Sequence, residues 1–548
     1  MNPSPPCPSD LSTRRASPHT RIVGFLGITG LVVWVAGMML LFNGGIAIGY
    51  RNHAALLPVV RRILNRDYLP QDFGVALRLY HHRVFAHIVA IGSKLLGEDG
   101  AIVALTLLGM VLMAVCLLYL SKSLGLSLPG YATAGVILAL HAGETGRGLE
   151  ANKFLGNDHI MPPTFAHALI LLAVGLFIRG RYPAASFAAG FTLLLHTQIG
   201  VLFVLILLPL FFIRLRRRPR REGLICLALL AAPVIPLLSH ISAMAHQGAA
   251  ETSGLIEYFR FRLPHHFAFR ADRMFLVVSF FLIQLGTLAW LGRPRRVGED
   301  GVRCMVALSS QILLLSGLHY LDYHLLEWGP IARMQFLRLS PLITVFGMLC
   351  LVLCASAAAE WLGRRKASSD RRRMGQLWLA VLVLATSGYA YLAKAGSPGF
   401  ALVHKYREER SAWVDICRYV KESTDPEGVF LTPPGNEGFT YLSERSTVVE
   451  FKVNPDGGMY LQQWYERLRN LSGGSLPNMT GLQNEQRLNQ AYARLGAEQL
   501  TTLAVKYGAR MAVLPANSPV PFTTIYSNGG YRLVRIPVGP AARHAGQD

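Results

Sequence analysis

Long apolar runs separated by short polar connections dominate the first 393 residues of the chain. The first run covers about 22–48, and others lie near 101–120, 128–143, 164–179, 183–197, 199–213, 223–245, 273–291, 302–317, 334–358 and 375–393. Segments this apolar predict bilayer-crossing helices, about eleven in all. The first run exceeds the apolar core of a signal peptide and lacks a small-residue cleavage site, so it reads as a retained anchor. One stretch, 50–87, interrupts the pattern. Within it Leu56, Leu57, Val60 and Leu64 recur at helical spacing beside Arg61 and Arg62, which predicts an amphipathic helix in the membrane interface. The apolar segment 85–96 is too short to span, and reads as a second interfacial helix or the start of a kinked span. Between them DYLPQD, 67–72, forms a turn because Pro70 discourages a continuous helix.

From Lys405 onward the pattern changes. Helical periodicity covers 409–423, 459–469 and 496–507, while 429–431, 448–453, 511–515, 523–526 and 531–536 read as strands, the last two around Asn528-Gly529-Gly530. The chain thus divides into a Pro-, Ser- and Arg-rich disordered tail, 1–20, a polytopic helical membrane domain, 21–393, with its first outer loop at 49–87, and a small α/β domain, 394–548. The sequence shows no internal repeat, P-loop or dinucleotide fingerprint.

Composition agrees: 52% of residues are hydrophobic and 16% charged, and mean hydropathy is +0.34. Lys and Arg outnumber Asp and Glu by 54 − 32 = 22. The excess collects in RGR (179–181), RLRRRPRRE (214–222), GRPRR (292–296) and RRKASSDRRR (364–373), all on one side of the predicted topology. That is the signature of cytoplasmic loops rather than of nucleic-acid binding. It places the N-terminus in the cytoplasm and the C-terminal domain outside the plasma (inner) membrane. The seven cysteines, Cys417 alone in the C-terminal domain, show neither a disulfide framework nor a metal-ligand spacing.

The same alternation gathers acids and histidines on the outer face. Asp67, Asp72, His81 and His82 lie in the first loop, His141, Glu144, Asp158 and His159 in another, and the remaining outer loops are 257–272 and 319–327. Asp67 and Asp72 stand five residues apart, which does not suit a two-ligand metal site, yet one carboxylate suffices as a general base. Both can equally serve as N-cap or turn carboxylates. The segment RFRLPHHFAFR offers Arg260, Arg262, His265 and His266 to a phosphate or sugar hydroxyl, or else anchors an interfacial loop. Gln335 and Arg338, three apart at the start of an apolar run, would share a helical face toward an anionic lipid phosphate, with snorkelling as the plainer alternative. His196-Thr197-Gln198 reads as a tight outer turn.

The YLPQD turn, LLHTQIG (194–200), MQFLR (334–338), VFLTPPGNEGFTYLSERSTVVEFK (429–452) and KYGARMAVLP (506–515), set in this architecture, resemble the membrane-embedded GT-C glycosyltransferase superfamily in its uncharacterised bacterial branch. The resemblance implies a polyprenyl-phosphate-linked sugar donor, a glycan, lipid or protein acceptor, no redox cofactor, and Asp72 as catalytic base with Asp67 the lesser candidate. Lacking a DxD pair, the chain fits a metal-independent inverting transfer. A lipid or solute transporter and a non-catalytic scaffold are the alternatives.

Overall fold

The computed structural model describes residues 18–78, 82–140, 148–149, 153–155, 159–236, 255–291, 298–363, 368–395, 401–453, 459–476, 480–481 and 483–537. His81, His141, Glu144 and Asp158, and the later part of the run at 223–245, lie outside these residues. A helix occupies each predicted run: Pro18–Phe42, Arg83–Ser123, Leu128–Leu140, Pro162–Ile178, Tyr182–Leu195, Thr197–Leu215, Arg220–Ala231, Ala271–Leu291, Glu299–Tyr320, Pro341–Gly363 and Ser368–Ala395. Among the described residues, six stretches are long and apolar enough to cross a membrane: Gly24–Phe42, Arg83–Ser123, Thr197–Leu215, Pro264–Leu291, Glu299–Leu326 and Pro330–Ala359. Leu128–Leu140, Pro162–Ile178, Tyr182–Leu195 and Leu377–Ala390 are shorter apolar helices. The expectation of about eleven spans therefore resolves into six full-length candidates and a set of shorter helices packed among them. Where two of these meet, a Cβ on Gly190 would lie 2.4 Å from the Leu230 carbonyl, so only glycine permits that approach.

The predicted amphipathic helix forms at Asn52–Leu64, and the segments 85–96 and 101–120 belong to one helical run, Arg83–Ser123, broken at Gly97 (φ 74°, ψ 164°). Nothing crowds that position, so its positive φ rather than lack of space calls for glycine. The break has a use: it presents Glu98 to Arg61, and Asp99 to Lys405 and Arg407. Upstream of it Ile91, Leu95 and Leu96 are exposed, as befits a segment lying against apolar surroundings.

The first span is shorter than expected. Its helix stops at Phe42, and Ile46–Ile48 (β1) pairs in parallel with Val403–Lys405 (β2), stitching the start of the first loop to the start of the C-terminal domain. That domain carries a five-stranded sheet of Val429–Leu431 (β3), Ser446–Thr447 (β4), Ala509–Pro515 (β5), Thr523–Ser527 (β6) and Tyr531–Arg535 (β7), in the order β4-β3-β5-β7-β6. The pairs β3–β4 and β3–β5 are parallel, while β5–β7 and β6–β7 are antiparallel.

The strand expected at 448–453 does not form: the ladder ends with β4, just before it, apart from the Val448 N–H on the Phe430 carbonyl at 3.3 Å. Beyond that the chain turns, with Val453 N–H bonded to the Glu450 carbonyl and Phe451 N–H to the Pro434 carbonyl, while Val449 and Phe451 fill the core without a ladder. Two short helices that the periodicity missed, Phe439–Ser443 and Gln483–Tyr492, complete the domain. Its core is not its own alone. Phe73 from the first loop and Ile256, Tyr258, Phe259 and Phe267 from 255–267 join Leu431, Val449, Phe451, Trp464 and Leu500 in one buried cluster. The division at 393 is a boundary in sequence pattern and not in packing.

Candidate functional site

The acidic turn of the first loop places its two carboxylates in opposite surroundings. Asp67 is exposed, and its backbone N–H is bonded by the Asn65 side chain, so it sits as a turn residue. Asp72 is buried at 2% exposure and caps the helix Phe73–Arg78. Its Oδ1 accepts the Val75 N–H at 2.8 Å. Its Oδ2 accepts the Thr447 N–H at 3.0 Å and the Thr440 hydroxyl at 3.2 Å. Burial holds the Asp72 carboxyl above the usual carboxylate range, against the pull of those donors. This is the geometry of a fastener between the first loop and the C-terminal domain. While those three bonds stand the carboxylate is closed to an acceptor hydroxyl.

Four of the other expected residues, Arg262, His265, His266 and Arg338, do converge. Aromatic packing fixes the segment 255–267: the Phe259 and Phe267 rings stack at 3.7 Å, and Phe261 meets Phe451 and Trp464 edge-on at 5.7 and 6.2 Å. These rings anchor the loop against the C-terminal domain. Arg262, 2% exposed, therefore donates from Nε to the Phe451 carbonyl (2.8 Å) and from Nη2 to the Lys452 carbonyl (3.0 Å). Arg78 reaches the same Lys452 carbonyl at 3.5 Å. His265 and His266, on the one-turn helix Pro264–Phe267, stand with ring centroids 4.1 Å apart. The charges of Arg262, Lys452 and Arg338 bear on both imidazoles. Glu437, with Oε2 3.9 Å from Lys452 Nζ, and Glu485 face these cations. Burial among like charges pulls the Lys452 ammonium below its ordinary range and takes Arg262 down to about 10, where it still carries its charge at neutral pH. Four cationic side chains against two carboxylates leave an excess of positive charge suited to an anion.

Arg260 stands apart. It is exposed, pairs with Glu327 at 2.6 Å and lies over the Tyr323 ring. Gln335 and Arg338 do not share a helical face, because the chain between them is a left-handed residue at Gln335 (φ 55°) followed by a 3-10 turn, Phe336–Leu339. The α-helix starts only at Pro341. The histidines elsewhere in the outer loops hold structure: His53 bonds the Ile160 carbonyl, His319 the Phe267 carbonyl, and His196 caps Thr197–Leu215 by accepting the Ile199 N–H. Arg78, Glu437, Lys452 and Glu485 were not legible as site residues, since each is an ordinary charge in a polar stretch and only tertiary contact unites them. Among the described residues, no group of three or more His, Cys, Asp or Glu side chains converges as a metal site requires.

A second buried carboxylate lies beside this junction. Glu450 accepts the Gly438 N–H at Oε2 and the Thr440 N–H at Oε1, both at 3.0 Å. Burial, with Asp72 nearby adding to it, nevertheless lifts its pKa to about 7. With the folded pKa above the ordinary 4.5, the folded chain holds the extra proton between those values, so the contribution of Glu450 to stability declines as pH rises from about 4.5 to about 7 and then levels. The buried imidazoles of His265 and His266 act in the opposite direction, so the comparison is with Glu450→Gln: in thermal unfolding of the detergent-solubilised protein the wild-type midpoint should fall relative to that of Glu450→Gln between pH 5.5 and pH 8. An unchanged pH dependence in that variant rejects Glu450 as its source.

A family profile described as a domain of unknown function (DUF6798) matches residues 411–471. That stretch contributes Glu437, Thr440, Thr447, Glu450 and Lys452 to the contacts above. No curated protein matches the chain at a significant level. Among solved structures, the chain is similar to ArnT from Cupriavidus metallidurans bound to undecaprenyl phosphate, at 11% identity and a TM-score of 0.47, covering 96% of this chain and 100% of that one. It is also similar to the same protein in the apo state, at 14% identity and a TM-score of 0.43 with the same coverage.

Proposed function

We propose that this chain is a membrane-embedded glycosyltransferase of the GT-C kind, acting on a sugar carried by a polyprenyl phosphate at the end of the bundle that holds the C-terminal domain. The observation that carries the reading is the convergence of Arg78, Arg262, Arg338 and Lys452 with His265 and His266 where the helical bundle meets that domain. A prenyl tail can stay among apolar helices while its phosphate meets these cations. In the reaction the acceptor hydroxyl oxygen bonds to the anomeric carbon as the bond from that carbon to the phosphate oxygen breaks, and the lipid phosphate leaves with the electron pair into the cationic cluster. The hydroxyl proton passes to a carboxylate at the rim. We assign that role to Glu437, which is only partly buried, is positioned by its backbone carbonyl accepting from Tyr406 Oη and Trp413 Nε1, and stands beside Lys452. Asp72 holds the scaffold. An inverted anomer is the expected product, from a single displacement that draws its charge stabilisation from the protein's own cations.

The test is transfer from radiolabelled polyprenyl-phosphate sugars by the full chain in proteoliposomes. Lys452→Gln should lower kcat/KM by about tenfold or more, and Glu437→Gln should lower kcat while leaving donor binding. Full activity in Glu437→Gln removes it as the base. Wild-type chain that binds the lipid phosphates but moves solute or lipid across the vesicle without sugar transfer overturns the enzyme reading in favour of a transporter.

A further inference from the structure

The far end of the bundle carries a site of its own. The helices Pro162–Ile178, Thr197–Leu215 and Glu299–Tyr320 each have one end near the first loop or the 255–267 segment, through Ile160 with His53, His196 with His82, and His319 with Phe267. Their other ends meet around a cavity of about 250 Å³ lined by Phe177, Arg179, Tyr182, Arg214, Asp300 and Cys304 among others. Arg179 is braced there: its Nε donates to Ser123 Oγ at 2.9 Å and its guanidinium lies 4.9 Å over the Tyr119 ring. Arg214, about half exposed, reaches Asp300 only at 3.8 Å. Arg218 covers the Tyr182 ring at 5.9 Å, and the adjoining connection carries Arg216, Arg217, Arg220 and Arg221, none of which lines the cavity.

The chemistry immediately beside the cavity is apolar. Phe212 and Ile213 precede Arg214 and are 67% and 54% exposed, and Leu224 and Leu227 follow the basic connection at 67% and 52%. A ligand that satisfies both surfaces is an amphiphile with an anionic head. We propose that this cavity binds the phosphodiester headgroup of an anionic phospholipid in the leaflet opposite the C-terminal domain, with Arg179 and Arg214 on the phosphate and the acyl chains along the exposed apolar flank. Tyr182, packed on Phe177 and Phe211, forms part of the wall of the same cavity. A free phosphate would satisfy the arginines and leave the apolar flank unused, which is why the lipid is the occupant argued for. The assignment stands apart from the glycosyltransferase reading, because it uses none of the same residues.

Native mass spectrometry of the full chain, delipidated in detergent and titrated with phosphatidylglycerol or phosphatidylcholine of the same acyl chains, tests it. One tight phosphatidylglycerol equivalent is expected, with phosphatidylcholine much weaker. Arg179→Gln/Arg214→Gln should weaken that equivalent by on the order of tenfold, whereas Arg216→Gln/Arg217→Gln, which removes the same charge outside the cavity lining, should leave it nearly unchanged. Equal losses in the two variants mean diffuse attraction to the basic connection and overturn the site. Displacement of the lipid by excess inorganic phosphate overturns the lipid as its ligand. Should the double variant fail to elute as folded protein, Arg214→Gln alone, whose side chain is half exposed, carries the same comparison against Arg216→Gln.

Discussion

Replacing Asp72 with Asn should destabilise the protein by about 2 kcal/mol, and should loosen the seat of the first loop on the C-terminal domain before it affects any chemistry. The reason is donor arithmetic. Oδ1 accepts from Val75 N–H, and Oδ2 from Thr447 N–H and the Thr440 hydroxyl. An amide has only one acceptor atom, so whichever way it is turned its NH2 faces a backbone N–H that cannot reverse. The Thr440 hydroxyl can rotate to accept, but Val75 or Thr447 is left unsatisfied in a site 2% exposed. Asn is a good N-cap in water, where the freed group finds a solvent partner; here no solvent reaches it. The measurement is hydrogen exchange in the segments 73–78 and 438–448, read together with the thermal midpoint. Faster exchange confined to those two segments is the expected outcome. Unchanged exchange and midpoint alongside abolished sugar transfer would return Asp72 to the role of catalytic base and sink the assignment to Glu437.

That reversal shows what could be read along the chain and what could not. The helices and turns were legible because their cause is local: apolar runs, the periodicity of Leu56 to Leu64, and the turn residues at 528–530. Asp72 was legible as a special acid, in a turn after Pro70, but its partners lie 368 and 375 residues away, and no spacing rule reaches that far. The group Arg262, His265 and His266 was legible from its residue types, which suit a phosphate or sugar hydroxyl. What the sequence did not show is its setting: the flanking aromatics, which left a headgroup anchor open as the alternative, fill a core shared with the C-terminal domain. The shared helical face of Gln335 and Arg338 failed for a local reason: hydropathy extends a helix through 334–340, while the left-handed Gln335 and the helix start at Pro341 break it into a turn. Hydropathy reports where a segment prefers to lie and says little about where its hydrogen-bonding begins.

The second large effect belongs to Arg61, which sequence periodicity placed only as a flank of an amphipathic helix. Its Nε and Nη2 form a fork on Glu98 at 2.8 and 2.9 Å, and its Nη1 reaches Tyr68 Oη, the Tyr441 carbonyl and Glu444 at 3.2–3.3 Å. Three elements thus close on one guanidinium: the first-loop helix, the restart of the helix after Gly97, and the C-terminal domain. Both Arg61 and Glu98 side chains are 17% exposed, so removing the cation strands a largely desolvated carboxylate, and Arg61→Ala should cost about 3 kcal/mol. Arg61→Lys keeps the charge and loses the fork, so it should recover well under half of that loss. A double-mutant cycle separates the partners. Coupling of Arg61 to Glu98 should exceed its coupling to Glu444, because Glu444 is 31% exposed and already bonded by Lys421 at 2.6 Å. The decisive variant is Gly97→Ala. With its φ of 74° denied, the helix is driven to run straight through and carry Glu98 away from Arg61. Its loss of stability should then shrink when Arg61 is already Ala, and strict additivity of the two would show that the break at Gly97 serves some end other than delivering Glu98 to Arg61.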